Sequence, residues 1–202
     1  MKIGEIKKQS LLLIFPEIEA HFDAESDESV NEGISALKCD PSLRAYLESC
    51  VPAINRALCE IENAGATKTK RTTARLESAG GLLDLEKELP DLLKIIAIYQ
   101  NGRALSFNER DTRVMLTGTQ KGEIEVIYKP KAQMVRYVTE DASEIDLDDS
   151  VSCLIPYFVA SELCAQENTE KAKDLRQKFT QGLAKCVAQT IAQSEVETVY
   201  SW

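Results

Sequence analysis

The apolar pattern changes period twice along this chain, and that alternation limits its fold more than any other feature. Up to Asn63 the apolar residues recur at helical spacing; after Gly65 they fall into short segments rich in Thr and branched side chains; from Asp148 the helical spacing returns. Such a chain is expected to be α+β, with about four helices in a bundle, a closing helical hairpin and an inserted antiparallel β-sheet meander. Its 202 residues fit a single domain, helical over 1–64 and 148–195, with the sheet insertion over about 68–132 and a C-terminal tail over 196–202.

Local signals place the elements. Ile3 to Ile14 reads as a first helix ended by Pro16, and a second begins at Asp40-Pro41, an N-cap followed by proline at the first helical position. In that second helix Leu43, Leu47, Cys50, Val51, Ile54, Leu58 and Ile61 mark one buried face, and Pro52 is expected to kink it. Strands are expected over Lys70 to Leu76, Leu82 to Leu85, Leu92 to Tyr99, Ala104 to Phe107, Thr112 to Leu116 and Glu123 to Lys129, with Asn101-Gly102 as a tight hairpin turn. The helix from Asp148 carries Val151, Leu154, Ile155, Phe158, Val159 and Leu163 on one stripe, with a bend expected at Pro156. A break at Gln166 to Asn168 leads to a final helix capped by Asn168 or Thr169.

Charge excludes some functions. There are 24 Lys and Arg against 33 Asp and Glu, a net charge of −9, whereas a sequence-reading DNA binder takes most of its affinity from basic residues on phosphates. Seven acids and no Lys or Arg occupy Glu17 to Glu32, which reads as a solvated connection; Glu140 to Asp149 forms a second acidic block. Between them Lys68 to Arg75 is basic but has no aromatic residue to stack a base, so it reads as a solvated strand face or a salt-bridging edge. No apolar run approaches the roughly 20 residues of a membrane span, and a cytosolic protein is expected.

Nothing in the sequence assembles an active site. His21, the sole histidine, sits in the acidic connection and reads as a surface residue, and the glycines match neither a dinucleotide fingerprint nor a P-loop. The six cysteines contain no CxxC pair and read as buried free thiols, and the run Asp146, Asp148, Asp149 lacks calcium-loop spacing. No enzyme, metal or cofactor is therefore expected.

The segments Ile145-Asp-Leu-Asp-Asp149, Leu154-Ile-Pro-Tyr-Phe-Val-Ala-Ser-Glu-Leu163 and Glu167-Asn-Thr-Glu-Lys-Ala172, followed by Phe179 and Leu183, form a pattern with a known counterpart. They resemble the closing helical hairpin of head-to-tail connector, or neck adaptor, proteins of tailed bacteriophages. Asn101-Gly-Arg-Ala-Leu-Ser-Phe107 and Gly122-Glu-Ile-Glu-Val-Ile-Tyr-Lys-Pro130 resemble the sheet segment before that hairpin, so the likeness spans Leu92 to Leu183.

The resemblance implies a structural virion protein, made in the host cytoplasm and placed in the neck. Its copies would form a ring, commonly twelve-fold, between the portal and a tail or stopper protein, extending the DNA channel and presenting a platform for the tail. DNA would pass without specific binding, since an acidic wall repels phosphate. The first candidate wall is the block Glu140, Asp141, Glu144, Asp146, Asp148 and Asp149, and the second is Glu17 to Glu32. The candidate docking tail is Val196 to Trp202, with Val196, Val199, Tyr200 and the sole tryptophan, Trp202, as anchors for the portal or a neighbouring subunit; a cap packed on its own domain is the competing reading. A tail-completion or tail-terminator component and, more remotely, a cytosolic enzyme or regulatory domain are the other functions weighed.

Overall fold

The structure is a computed structural model that describes residues 1–22, 27–77, 82–110, 113–117, 121–139 and 141–199. In chain order its helices and strands are α1 (Ile3–Ile14), α2 (Asp27–Leu37), α3 (Pro41–Asn63), β1 (Lys70–Leu76), β2 (Leu82–Asp84), α4 (Leu85–Glu88), β3 (Leu92–Gln100), β4 (Arg103–Ala104), β5 (Phe107–Arg110), β6 (Arg113–Leu116), β7 (Gly122–Pro130), α5 (Asp149–Ser152), α6 (Ile155–Leu163) and α7 (Thr169–Val199). The chain is thus α+β, in two compact units: a helical unit of 1–66 and 132–202, and a sheet unit of 67–131.

Charge is divided unequally between these units. The sheet unit holds 12 basic and 9 acidic residues (12 − 9 = +3), and the helical unit 12 basic and 24 acidic (12 − 24 = −12). All of the chain's net acidity therefore belongs to the helical unit.

In the helical unit the caps anticipated from sequence are formed. The Asp40 carboxylate accepts hydrogen bonds from the backbone N–H and hydroxyl of Ser42, at 2.8 and 2.6 Å, at the start of α3, and the Asn168 side chain accepts the Lys171 N–H at 3.0 Å at the start of α7. Helix α3 runs on through Pro52 and buries Cys50, Val51, Ile54, Leu58 and Ile61. These pack with Ile3 and Ile6 of α1, Ile155, Phe158 and Val159 of α6, and Phe179 and Leu183 of α7 in the main core. Phe158 and Phe179 meet edge to face at 4.9 Å, and the Arg176 guanidinium lies 3.8 Å above the Phe158 ring while reaching Glu60 and Glu162.

Three expectations for this unit need correction. The acidic stretch Glu17 to Glu32 is not merely a connection: Pro16–His21 is a 3-10 helix and α2 follows from Asp27. Ile18, Phe22, Val30, Ile34 and Leu37 join Leu11 and Leu47 in a second core, an apolar spacing that the surrounding carboxylates obscure in the sequence. The helix expected to bend at Pro156 is instead interrupted at Cys153 and Leu154, and Pro156 lies in the first turn of α6. Proline has no N–H to give a preceding turn, and it is tolerated in a first turn, where no such bond is required. Lastly, the tail expected from Val196 is helical through Val199, because no Gly or Pro interrupts the end of α7. Tyr200 and Trp202 lie outside the described residues, as do the side chains of Val196 and Val199.

The sheet unit is not one meander but two antiparallel sheets, ordered β1-β7-β3-β4 and β2-β6-β5. β1 pairs in full with β7, from Lys70 opposite Tyr128 to Leu76 opposite Gly122. The hairpin at Asn101-Gly102 forms as expected, with φ of +51° and +76° and Gln100 opposite Arg103. Alternate residues Ile124, Val126 and Tyr128 of β7 point into a core with Ala74, Leu76, Ile95, Ile98, Val114 and Leu116. β3 carries two register shifts against β7, at Leu93 and at Ile96, and both side chains are exposed.

β1 is an edge strand whose basic residues are partly paired, Arg71 with Glu125 at 3.3 Å and Lys70 with Asp91 at 2.9 Å. Asp91 also accepts the Tyr128 hydroxyl at 2.9 Å. Burial pushes the Asp91 carboxyl up, but the hydrogen bonds from Lys70 and Tyr128 and the Lys70 charge outweigh it and hold the group below its ordinary 3.8. A carboxyl depressed in the folded state contributes stability above its unfolded value and loses it as pH falls through the folded one. Asp91→Asn is expected to cost less than about 1 kcal/mol at pH 7, since the pair is well exposed, and the difference from the parent should shrink as pH is lowered to about 2. Thermal unfolding of both proteins at the two pH values checks this; an equal deficit at both would assign the loss to packing.

Candidate functional site

The segment that returns from the sheet unit to α5, residues 132–148, has almost no regular structure, yet side chains and termini of the helical unit fasten it at several points. Glu62 at the end of α3 accepts the Ala132 N–H at 2.8 Å. Two turns back on α3, the Asn55 amide accepts the Val135 N–H at 2.8 Å and donates to the Val135 carbonyl at 2.9 Å, as a neighbouring strand would. Val135 itself is buried in the main core.

Immediately after this anchor the chain reverses. The Thr139 N–H donates to the Arg136 carbonyl at 2.9 Å and the Thr139 hydroxyl accepts the Arg136 N–H at 2.9 Å, closing a turn with Tyr137 and Val138 at its tip. Tyr137 is 73% and Val138 87% exposed, and Met134 before them is 43% exposed. An aromatic and a branched aliphatic side chain thus stand in solvent on a doubly tied turn, although neither contributes to a core.

Beyond the turn the segment lies along α1. Gly4 donates to the Asp141 carbonyl at 2.8 Å, Ile3 to Ser143 at 3.0 Å and Ile145 to Met1 at 3.2 Å. A Cβ on Gly4 would come within 3.2 Å of Asp141, so glycine permits this approach. From Glu144 the side chains alternate: Ile145 and Leu147 enter the core, while Glu144, Asp146, Asp148 and Asp149 are exposed. The apolar pair therefore presses four carboxylates outwards within six residues.

The predicted acidic block is thus divided. Glu144, Asp146, Asp148 and Asp149 share the exposed stretch; Asp141 does not belong with them, since it is half-buried against α1 in an ion pair with Lys7. Glu140 lies outside the described residues. Of the second acidic candidate block, Glu17 and Glu19 are exposed on the 3-10 helix, and Asp23 and Glu25 fall outside the described residues. Met134, Tyr137 and Val138 were not singled out by sequence reasoning. Their signal is the short run Met134-Val-Arg-Tyr-Val138, apolar without a period and lying between two assigned elements.

Other ionisable groups are engaged internally. Arg56 pairs with Glu162 at 3.0 Å, and a hydrogen bond from Tyr46 to Glu167 pushes the phenol up to about 12. Burial pushes the Cys50 thiol up to about 12, whereas Cys39, Cys59 and Cys153 are exposed and Cys186 half-buried, so the expectation of buried thiols holds only for Cys50 and Cys164. The His21 side chain lies outside the described ones. Among the described residues no group of three or more His, Cys, Asp or Glu is placed to hold a metal ion, and no helix is long and apolar enough to cross a membrane. Comparisons with models of known protein families and with curated proteins found no match to this chain.

Proposed function

We propose that this chain is a structural subunit of a tailed-phage neck, packing head to tail with its copies into a ring between portal and tail. The observation that carries the reading is the tied turn that holds Tyr137 and Val138 in solvent, a few residues before the exposed carboxylates Glu144, Asp146, Asp148 and Asp149. An aromatic and aliphatic knob on a tied turn is suited to a subunit contact, because its backbone is held before binding and less freedom is lost when it is covered. A heterologous contact of this kind closes into a ring when each copy repeats it. The adjacent carboxylates and the −12 charge of the helical unit give such a ring a wall that repels the phosphates of passing DNA.

Quantitative mass spectrometry of purified tailed particles, with the portal protein as internal standard, tests the assignment. Copies equal to those of the portal are expected. Absence from particles would overturn it.

A further inference from the structure

Leu154 sits in the break between α5 and α6 and presses directly onto Gly182 of α7; a Cβ at Gly182 would lie 2.5 Å from the Leu154 Cδ2. That approach brings the end of α5 against the next turn of α7. Its result is that the thiols of Cys153 and Cys186 both donate to one acceptor, the Ser150 carbonyl oxygen, at 3.3 and 3.5 Å. One oxygen cannot lie that near two sulfurs unless the sulfurs are themselves neighbours. Cys153 is open to solvent and Cys186 is partly covered by the core.

We propose that Cys153 and Cys186 are an oxidant-responsive pair that closes into an intramolecular disulfide, fastening the break between α5 and α6 to α7. With a peroxide as oxidant, the exposed Cys153 thiolate attacks one peroxide oxygen, the O–O bond breaks, and a sulfenic acid and hydroxide form. The Cys186 thiolate then attacks that sulfur, the S–S bond forms, and the S–O bond breaks to release hydroxide. Two electrons pass from the two thiols to one peroxide, and with the two thiol protons the by-product is two waters. The break at Cys153 and Leu154 supplies the freedom to bring the sulfurs from shared-acceptor spacing to bonding distance, since Cys153 belongs to neither flanking helix.

Burial and the neighbouring Cys186 both push the Cys153 thiol above its ordinary 9.0. Only a small fraction is thiolate at pH 7, so closure is slow there and quickens as pH rises towards 9. The inference is independent of the neck reading. Within that reading, the pair stays reduced during cytoplasmic assembly and closes once a particle has left the reducing cytoplasm.

The full chain, fully reduced and treated with one equivalent of hydrogen peroxide at pH 7 and pH 9, is alkylated and digested without reductant. A linked peptide pair containing Cys153 and Cys186 is expected, with titratable thiols falling from six to four, the protein still monomeric on a non-reducing gel, and closure at least about tenfold faster at pH 9. The thermal midpoint should rise by about 5 °C and return on reduction. Cys153→Ser and Cys186→Ser should each lose the linked peptide and the thermal shift; both are isosteric changes at sites that are not fully buried. Both thiols remaining alkylatable, Cys153 over-oxidised without the link, or the two cysteines linked to others such as Cys39 and Cys59, would each overturn the pairing.

Discussion

Phe158→Ala should destabilise the helical unit by about 3–5 kcal/mol, a large share of the roughly 5–15 kcal/mol that holds a typical domain folded. Phe158 is 2% exposed and meets Phe179 edge to face, so truncation leaves a cavity between α6 and α7 that neither helix can refill with its own residues. The same change removes the ring under Arg176, which then keeps its contacts to Glu60 and Glu162 and the more distant Phe179 ring, 5.9 Å away. Phe158→Leu retains most of the volume and should cost less than half as much. Urea unfolding of the three proteins measures the difference through the midpoint at constant slope. A loss under about 1 kcal/mol for the alanine variant would mean that the α6–α7 contact does not stabilise the core as its burial indicates.

The second large effect concerns assembly rather than stability. Replacing Tyr137 and Val138 together by Ser should leave the thermal midpoint within a degree or two of the parent, because both side chains are exposed and the turn is closed by backbone and Thr139 atoms. If the proposed neck role holds, incorporation into particles should fall at least about a hundredfold, the consequence expected when two anchoring side chains are removed from a contact. Complementation of a particle lacking the gene product, scored by copies per portal, provides the readout. Asn55→Ala separates presentation from contact: it leaves the knob residues in place but removes both hydrogen bonds to Val135, and it should weaken incorporation to an intermediate degree. If the double-serine variant is incorporated normally, the turn is not the subunit contact.

Much of this architecture was legible because it is local. The Asp40-Pro41 start of α3, the Asn168 cap and the positive-φ hairpin at Asn101-Gly102 depend on residues within one turn of each other, and each forms where the sequence places it. The pairing of β1 with β7 was not legible, because alternation tells which face of a strand is apolar and not which distant strand lies beside it. The same limit explains Asp141. Its charge is plain in the sequence, but its removal from the exposed acidic stretch depends on Lys7, 134 positions away. Helix α2 was obscured for a different reason: charge density suggested solvent, while Val30, Ile34 and Leu37 keep the spacing of a packed helix. In the candidate site the carboxylates were legible and the knob was not, since two exposed apolar residues leave no period to detect.

The interruption of the helical unit by the sheet unit has a temporal consequence. The chain is synthesised from its N-terminus, and every strand of the sheet unit lies within one uninterrupted stretch that ends at Pro130. The main helical core, in contrast, needs Phe158, Phe179 and Leu183 to cover Cys50, Ile54 and Leu58 of α3. Those apolar groups leave the ribosome early and wait, uncovered, for about a hundred further residues, some ten seconds at typical synthesis rates. Over that interval α3 presents its apolar face before its partners on α6 and α7 exist, so the nascent chain, rather than the finished protein, is the stage most exposed to aggregation and to capture by chaperones.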